Sequence, residues 1–165
     1  MKLKGKVVFV TGSTRGIGKS FAAGFGGEGA EVVVHGRDME KDRAVAREVE
    51  GLGVRSMAVA GDVSSSQDVT RMVEEIIQSF GRIDVLVNNA GINPFILEAE
   101  KIKEEGWDQV MNVNLKGVFL CCQTVEKNDS AGRRKDHQYF LGGCCQWRTG
   151  ISSLLREQID RKSVV

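Results

Sequence analysis

The stretch Thr11-Gly12-Ser13-Thr14-Arg15-Gly16-Ile17-Gly18 limits what this chain can fold into more than any other. It follows the apolar run Val7-Val8-Phe9-Val10 and opens a helix-forming segment, so it reads as strand, glycine turn and helix start. Glycines at such a turn can take positive φ and bring backbone close to a ligand. The free N–H groups of the helix's first turn can then hold a diphosphate. A dinucleotide is the natural ligand. The spacing Gly-x-x-x-Gly-x-Gly differs from the common G-x-G-x-x-G, and a bare strand-to-helix turn would also use glycine. The rest of the chain has to decide between the two.

The decision comes from alternation. A helix is expected over Lys19 to Glu28, with Phe21, Ala22 and Phe25 facing a sheet and Gly24, Gly26 and Gly27 each weakening it by about 1 kcal/mol relative to alanine. Glu31 to His35 is a β-branched strand. Met39 to Gly51 carries Ala44, Val45 and Val49 among charges, as a surface helix would, and a third strand spans Val54 to Val59 before Gly61-Asp62-Val63. Ser65 and Asp68 mark the start of a helix whose apolar residues, Val69, Met72, Val73, Ile76, Ile77 and Phe80, recur at intervals of three and four. A fourth strand, Ile83 to Val87, ends in Asn88-Asn89-Ala90-Gly91. Strands separated by helices imply right-handed βαβ units, a parallel sheet and helices on both faces. Ligands of such sheets bind at the carboxyl ends of the strands, where all these glycines and asparagines fall.

Composition excludes several classes. With 165 residues, 41% of them hydrophobic, the chain is expected to make one domain with a sizeable core. A net charge of +1 argues against nucleic acid as a partner, and Arg133-Arg134-Lys135 reads as a solvated run. The N-terminus, Met1 to Lys6, runs into a strand and not into the apolar core of a signal peptide, and no apolar run is long enough to span a bilayer. A cytoplasmic protein without a membrane partner is the expectation. The cysteines come as adjacent pairs, Cys121-Cys122 and Cys144-Cys145, which is neither a metal nor a redox spacing, so no metal site is expected.

Thr11-Gly12-x-x-x-Gly16-x-Gly18, Asp62-Val63, Asn88-Asn89-Ala90-Gly91 and Asn112-Val113-Asn114-Leu115-Lys116-Gly117 stand in the order and rough spacing of the short-chain dehydrogenases/reductases. The resemblance is nearest to the 3-oxoacyl-acyl-carrier-protein reductases and their sugar- and alcohol-oxidising relatives, and it covers Met1 to about Val125. It implies an α/β fold, a Rossmann-like doubly wound parallel sheet truncated here after about four strands. It also implies an oxidoreductase that moves a hydride between NADP(H) or NAD(H) and a carbonyl or alcohol. By resemblance Gly12, Gly16 and Gly18 line the diphosphate within a loop that includes Thr14 and Arg15, and Ile17 packs beneath it. Asp62 and Val63 meet the adenine, and Asn89, Ala90 and Gly91 lie against the nicotinamide ribose.

The choice of cofactor rests on charge. An acid at the end of the second strand would bond the ribose 2′-hydroxyl of NAD and repel the 2′-phosphate of NADP. Gly36 stands there, followed by Arg37, with Arg15 across the glycine loop, and two guanidinium groups without an acid favour NADP. Asp38 is close enough in sequence to keep NAD open.

Gly106 to Val125 reads as a helix with Trp107, Val110, Met111, Val118 and Cys121 on an apolar stripe that also carries Asn114. An asparagine on a buried face needs partners, which backbone groups can supply. The resemblance gives Asn114 a second role, holding a water in a catalytic proton relay. The family's other catalytic groups are a serine and a tyrosine with a lysine four residues later. The tyrosine exchanges a proton with the substrate oxygen, the lysine favours tyrosinate and the serine polarises the substrate. Here the only tyrosine, Tyr139, is followed four residues on by Gly143, and Lys162 is preceded four residues before by Gln158.

Residues 126–165 lack useful periodicity. Read one nucleotide later, codons allowed for Lys135 to Leu141 include K-I-I-N-I-S-S, and those for Thr149 to Gln158 include P-G-S-V-V-Y-S-A-S-K. These are the family's fifth strand with its serine, and its tyrosine motif. The expectation is therefore a partial dinucleotide-binding domain over 1–125 and a non-family, poorly ordered tail over 126–165, translated out of frame. Such a chain is expected to bind a nicotinamide dinucleotide without catalysing. Its small carbonyl or alcohol substrate would belong to an intact relative, and a family-type homo-oligomer is not expected.

Overall fold

The computed structural model describes residues 2–94, 98–128, 138–141 and 146–147. Four parallel strands form its centre: β1 (Val7–Val10), β2 (Glu31–Gly36), β3 (Ser56–Ala60) and β4 (Val85–Asn88). Among the described residues the order across the sheet is β3-β2-β1-β4-β5-β6, in which β5 (Gln138–Leu141) runs parallel to β4 and β6 (Gln146–Trp147) antiparallel to β5. The doubly wound sheet expected from sequence is present through β4, and the two short strands continue it. Tyr139 lies in β5, in register with Leu86. Gly143, Gln158 and Lys162 lie outside the described residues, as do Cys144, Cys145 and most of the tail.

The helices are α1 (Gly16–Gly27), α2 (Met39–Glu50), α3 (Ser66–Phe80), α4 (Glu104–Met111) and α5 (Gly117–Asn128). β1, β2 and β4 bury both faces, which is why they read as valine-rich runs and not as alternating patterns, while β3 at the sheet edge is mostly half-buried. Phe9, Val33, Val59 and Leu86 face α3 and α5, where Met72, Ile76, Leu120 and Val125 complete one core layer. Val8, Val10, Val32, Val34 and Val87 face α1 and α2, against Ala22, Phe25, Val45 and Val49.

Caps set the helix ends. Ser65 Oγ accepts from Asp68 N at 3.3 Å while Asp68 Oδ2 accepts from Asp62 N at 2.9 Å, and Gly81 closes α3 in the left-handed conformation at φ 74°. Asp38 caps α2 through Glu40 N and Lys41 N. The glycines that weaken α1 in isolation serve close packing. A Cβ on Gly26 would stand 3.0 Å from Val49 Cγ1, so α1 and α2 meet at nearly bare backbone.

Two expectations change. On α2 the inner face is Asp42, Val45, Ala46 and Val49, so Ala44 is exposed and a charged residue is buried. The helix expected over Gly106 to Val125 is interrupted by a π turn, Asn112–Lys116, closed by Gly117 N–H donating to Asn112 O. The extra residue of a π turn rotates everything after it, so one stripe cannot run through both halves. Cys121 is accordingly buried while Trp107 is 56% exposed.

Candidate functional site

A cleft of about 690 Å³ opens at the carboxyl ends of the parallel strands. Gly12, Thr14, Arg15, Gly16, Ile17 and Gly18 form one wall, Gly36, Arg37, Asp38 and Lys41 one end, and Gly61, Asp62 and Val63 the side beyond. Asn89, Ala90, Gly91, Ile92 and Val113 form the other end. The site residues expected from four separate stretches thus line one cavity, except Asn114, which lies just behind Ile92.

The glycine loop is fixed by a network of side-chain-to-backbone hydrogen bonds. Thr11 Oγ1 donates to Val87 O at 3.2 Å and accepts from Asn89 N and Ala90 N, both at 3.0 Å, which ties β1 to the end of β4. Asn89 Nδ2 donates to Thr11 O at 3.0 Å and to Gly12 O at 2.9 Å. The approach is so close that a Cβ on Gly12, at φ 63°, would lie 2.8 Å from Ala90 Cα, and one on Gly18 would collide with Gly12 O and Asn89 Nδ2. Gly16, at φ 54°, has open space in front of it. This bare cradle at the N-terminus of α1 fits a diphosphate. Ile17, expected beneath the diphosphate, is 69% exposed on the cleft wall.

His35 joins the loop to the neighbouring strand ends and was not singled out from sequence. Gly12 N–H donates to its Nδ1 at 3.0 Å, so Nε2 carries the proton and donates to Gly61 O at 3.2 Å. Burial drives its pKa down to about 4, against smaller opposing effects of the Gly61 carbonyl and Asp62, so the ring is neutral. Its backbone is held by Ser13, whose Oγ accepts from His35 N at 2.9 Å and whose N–H donates to His35 O at 2.8 Å.

Asp62 is an ionised wall group. Ser64 Oγ and Ser64 N donate to its Oδ1 at 2.7 and 2.8 Å, and these bonds, with the Arg37 charge, hold its carboxyl below the usual range in spite of partial burial. Arg15 and Arg37 are exposed at the rim. Lys41 Nζ, by contrast, is engaged by Asp38 Oδ2 at 2.8 Å.

Asn114 is exposed, not on a buried face. Its Oδ1 accepts from Ile92 N at 2.8 Å and its Nδ2 donates to Ile92 O at 2.9 Å, so one amide satisfies both backbone groups of the segment after Gly91. It sits in the π turn, and Gly117 at the end of that turn lets α5 approach the β3–α3 loop: a Cβ there would be 2.9 Å from Val63 Cγ2. Cys121 is buried and its thiol is pushed up to about 12. Cys122 accepts from Asn88 Nδ2 at 3.4 Å. Neither is a reactive thiolate. No helix among the described residues is long and apolar enough to cross a membrane.

The sequence model of the short chain dehydrogenases matches residues 6–133. The chain is 43% identical over 125 residues to the 3-oxoacyl-[acyl-carrier-protein] reductase FabG of Thermotoga maritima, covering 76% of this chain and 50% of that protein. It is 42% identical over 125 residues to the (2S)-[(R)-hydroxy(phenyl)methyl]succinyl-CoA dehydrogenase subunit BbsD of Thauera aromatica, with the same coverage. It therefore spans about half the length of the curated relatives it matches. Among solved structures, a metagenomic short-chain oxidoreductase in complex with NADP superposes with a TM-score of 0.77 at 36% identity, covering 86% of this chain and 63% of the other. A short chain dehydrogenase from Burkholderia cenocepacia J2315 in complex with NADP gives a TM-score of 0.72 at 32% identity, covering 77% and 52%. Cleft, motifs and matches agree, and the chain belongs to the short-chain dehydrogenase family.

Proposed function

We propose that this chain binds a nicotinamide dinucleotide in the strand-end cleft, NADP in preference to NAD, and that it does so without catalysing the family's reaction. The observation that carries the cofactor reading is the end of β2, where Gly36 offers no side chain and Arg37 stands exposed opposite Arg15. A 2′-phosphate there meets two guanidinium groups and no acid projecting from the strand. Gly12, Gly16 and Gly18 would hold the diphosphate, Asp62 and Val63 the adenine, and Asn89, Ala90 and Gly91 the nicotinamide ribose. The dinucleotide would supply hydride chemistry, carbonyl to alcohol or the reverse, in longer relatives whose substrates are small carbonyl compounds.

Asn114 is the one catalytic position of the family pattern that this sequence keeps; the serine and the Tyr-x-x-x-Lys pair are absent from it. Its place beside Ile92 suits the relay role, but the proton donor for a substrate oxygen is missing. The tail over 126–165 is read as out-of-frame translation, with the missing groups in the shifted codons. Sequencing the coding DNA across residues 120–165 tests that reading, which fails if no Y-S-A-S-K appears. Equilibrium titration tests the rest: NADP⁺ is expected to bind about tenfold or more tightly than NAD⁺, with no oxidation of NADPH by a 3-oxoacyl thioester. Tighter NAD⁺ binding overturns the cofactor reading, and steady turnover overturns the non-catalytic one.

A further inference from the structure

One buried side chain among the described residues is recorded with no hydrogen-bond partner: both carboxyl oxygens of Asp42 are sealed from solvent and accept no hydrogen bond. A buried polar group without a partner is costly, and a sequence keeps one where it has a use. Asp42 lies on the inner face of α2 with Val45, Ala46 and Val49. Its Oδ1 stands so close to Gly36 that a Cβ on that residue would collide with it, and would also meet the Thr14 methyl group at 3.0 Å. Gly36, Arg37, Asp38 and Lys41 form the end of the cleft assigned above to the adenosine ribose. The carboxyl therefore sits directly behind that wall without lining it.

Resting on the dinucleotide reading of the cleft, we infer that Asp42 is a specificity-determining residue of the ribose end: it keeps the end of β2 bare of side chain, and its charge state sets the balance between a 2′-phosphate and a 2′-hydroxyl. An acidic side chain at position 36 would accept from a 2′-hydroxyl and repel a 2′-phosphate. Asp42 excludes such a side chain by occupying its space. Too deep to bond the ribose itself, it acts through the wall by charge alone. Uncharged, it leaves the field of Arg15 and Arg37 unopposed; ionised, it cancels part of that field.

The environment favours the uncharged form. Burial pushes the carboxyl up to about 6, the Gly36 N–H opposes this without completing a hydrogen bond, the Asp38 charge adds to it and the Lys41 ammonium opposes it. The Gly36 backbone of β2 and the Thr14 methyl of the glycine loop close on the same point as the Asp42 carboxyl, and Asp38 and Lys41 are the charged groups that act on it. Its charge therefore changes within the range in which the protein would work.

The test is calorimetric titration of the full chain, wild type, Asp42→Asn and Asp42→Leu, with adenosine 2′,5′-bisphosphate and with adenosine 5′-monophosphate between about pH 5 and about pH 8. The ratio of the two affinities is expected to move about tenfold further toward the monophosphate on raising the pH in wild type than in either variant, a factor equal to one unit of proton linkage. The bisphosphate's own titration is common to all three proteins and cancels. Carbon-13 NMR of the Asp42 carboxyl gives a readout that needs no variant: saturating bisphosphate is expected to raise its titration midpoint, while the monophosphate leaves it in place. Identical pH profiles in the three proteins, or a midpoint indifferent to the bisphosphate, overturn the inference and leave the dinucleotide site standing. Failure of both nucleotides to bind overturns the proposed function and this inference with it.

Discussion

The glycine-loop side of the molecule and the α4–α5 side are built differently. Around the loop, Thr11, Ser13, His35 and Asn89 spend their hydrogen-bonding capacity on backbone groups of four strand ends, and among the described residues the cleft is lined from Gly12 to Val113. On the other side, α5 packs Leu120, Cys121 and Val125 inward, while Trp107, Leu115 and Phe119 stand 56%, 61% and 59% exposed on α4, the π turn and α5. The first region is a cleft whose walls are fixed by its own side-chain-to-backbone bonds. The second presents an apolar surface and one pinned asparagine. The first side is thus held together by polar side chains that join distant strand ends, and the second by apolar packing alone.

The largest way to break this contrast is Gly18→Val. Its side chain would collide with Gly12 O and Asn89 Nδ2, so a loss of more than about 4 kcal/mol and of all nucleotide binding is expected in a denaturant melt and a titration. Next comes Ile76→Ala, in the core layer shared by the two regions, where a cost of about 2–5 kcal/mol is expected and the binding affinity of the folded fraction should survive.

The pH dependence sharpens the contrast further. His35 falls from 6.5 to about 4 on folding, so the unfolded chain binds more protons between those values and stability drops as the pH falls through them. Asp42 rises from 3.8 to about 6, so its contribution runs the other way and stability grows as the pH falls. The two offset each other in wild type. Asp42→Asn is expected to uncover the His35 slope, a loss on the order of 3 kcal/mol between pH 6.5 and 4 by thermal melting. A flat profile in the variant would show that His35 does not titrate as described. The smallest effect belongs to the exposed face: Trp107→Ser and Phe119→Ser should each change stability by less than about 0.5 kcal/mol, because neither contributes to the core.

Sequence made the sheet legible because buried parallel strands are valine runs and because α3 repeats apolar residues at intervals of three and four. It made the cleft legible because glycine and asparagine fall at every strand end. Asp42 was hidden by its charge, although its spacing to Val45, Ala46 and Val49 placed it on the inner face. His35 was read only as the end of a strand, since nothing in one dimension ties it to Gly12 or Gly61. The stripe through Trp107 and Asn114 failed because a π turn has no signature in a 3.6-residue period.

The hydroxyl of Thr11 reaches Val87, Asn89 and Ala90 across 76 to 79 residues of chain. Contacts that distant in sequence are the slowest to form, because the whole intervening loop must close before they yield anything. The strand-end cleft therefore cannot exist before β1 and β4 have paired. A chain halted before β4 would carry the entire glycine motif and still have no site. Whatever ligand the cleft takes, it can be taken only by a chain in which β1 and β4 have paired.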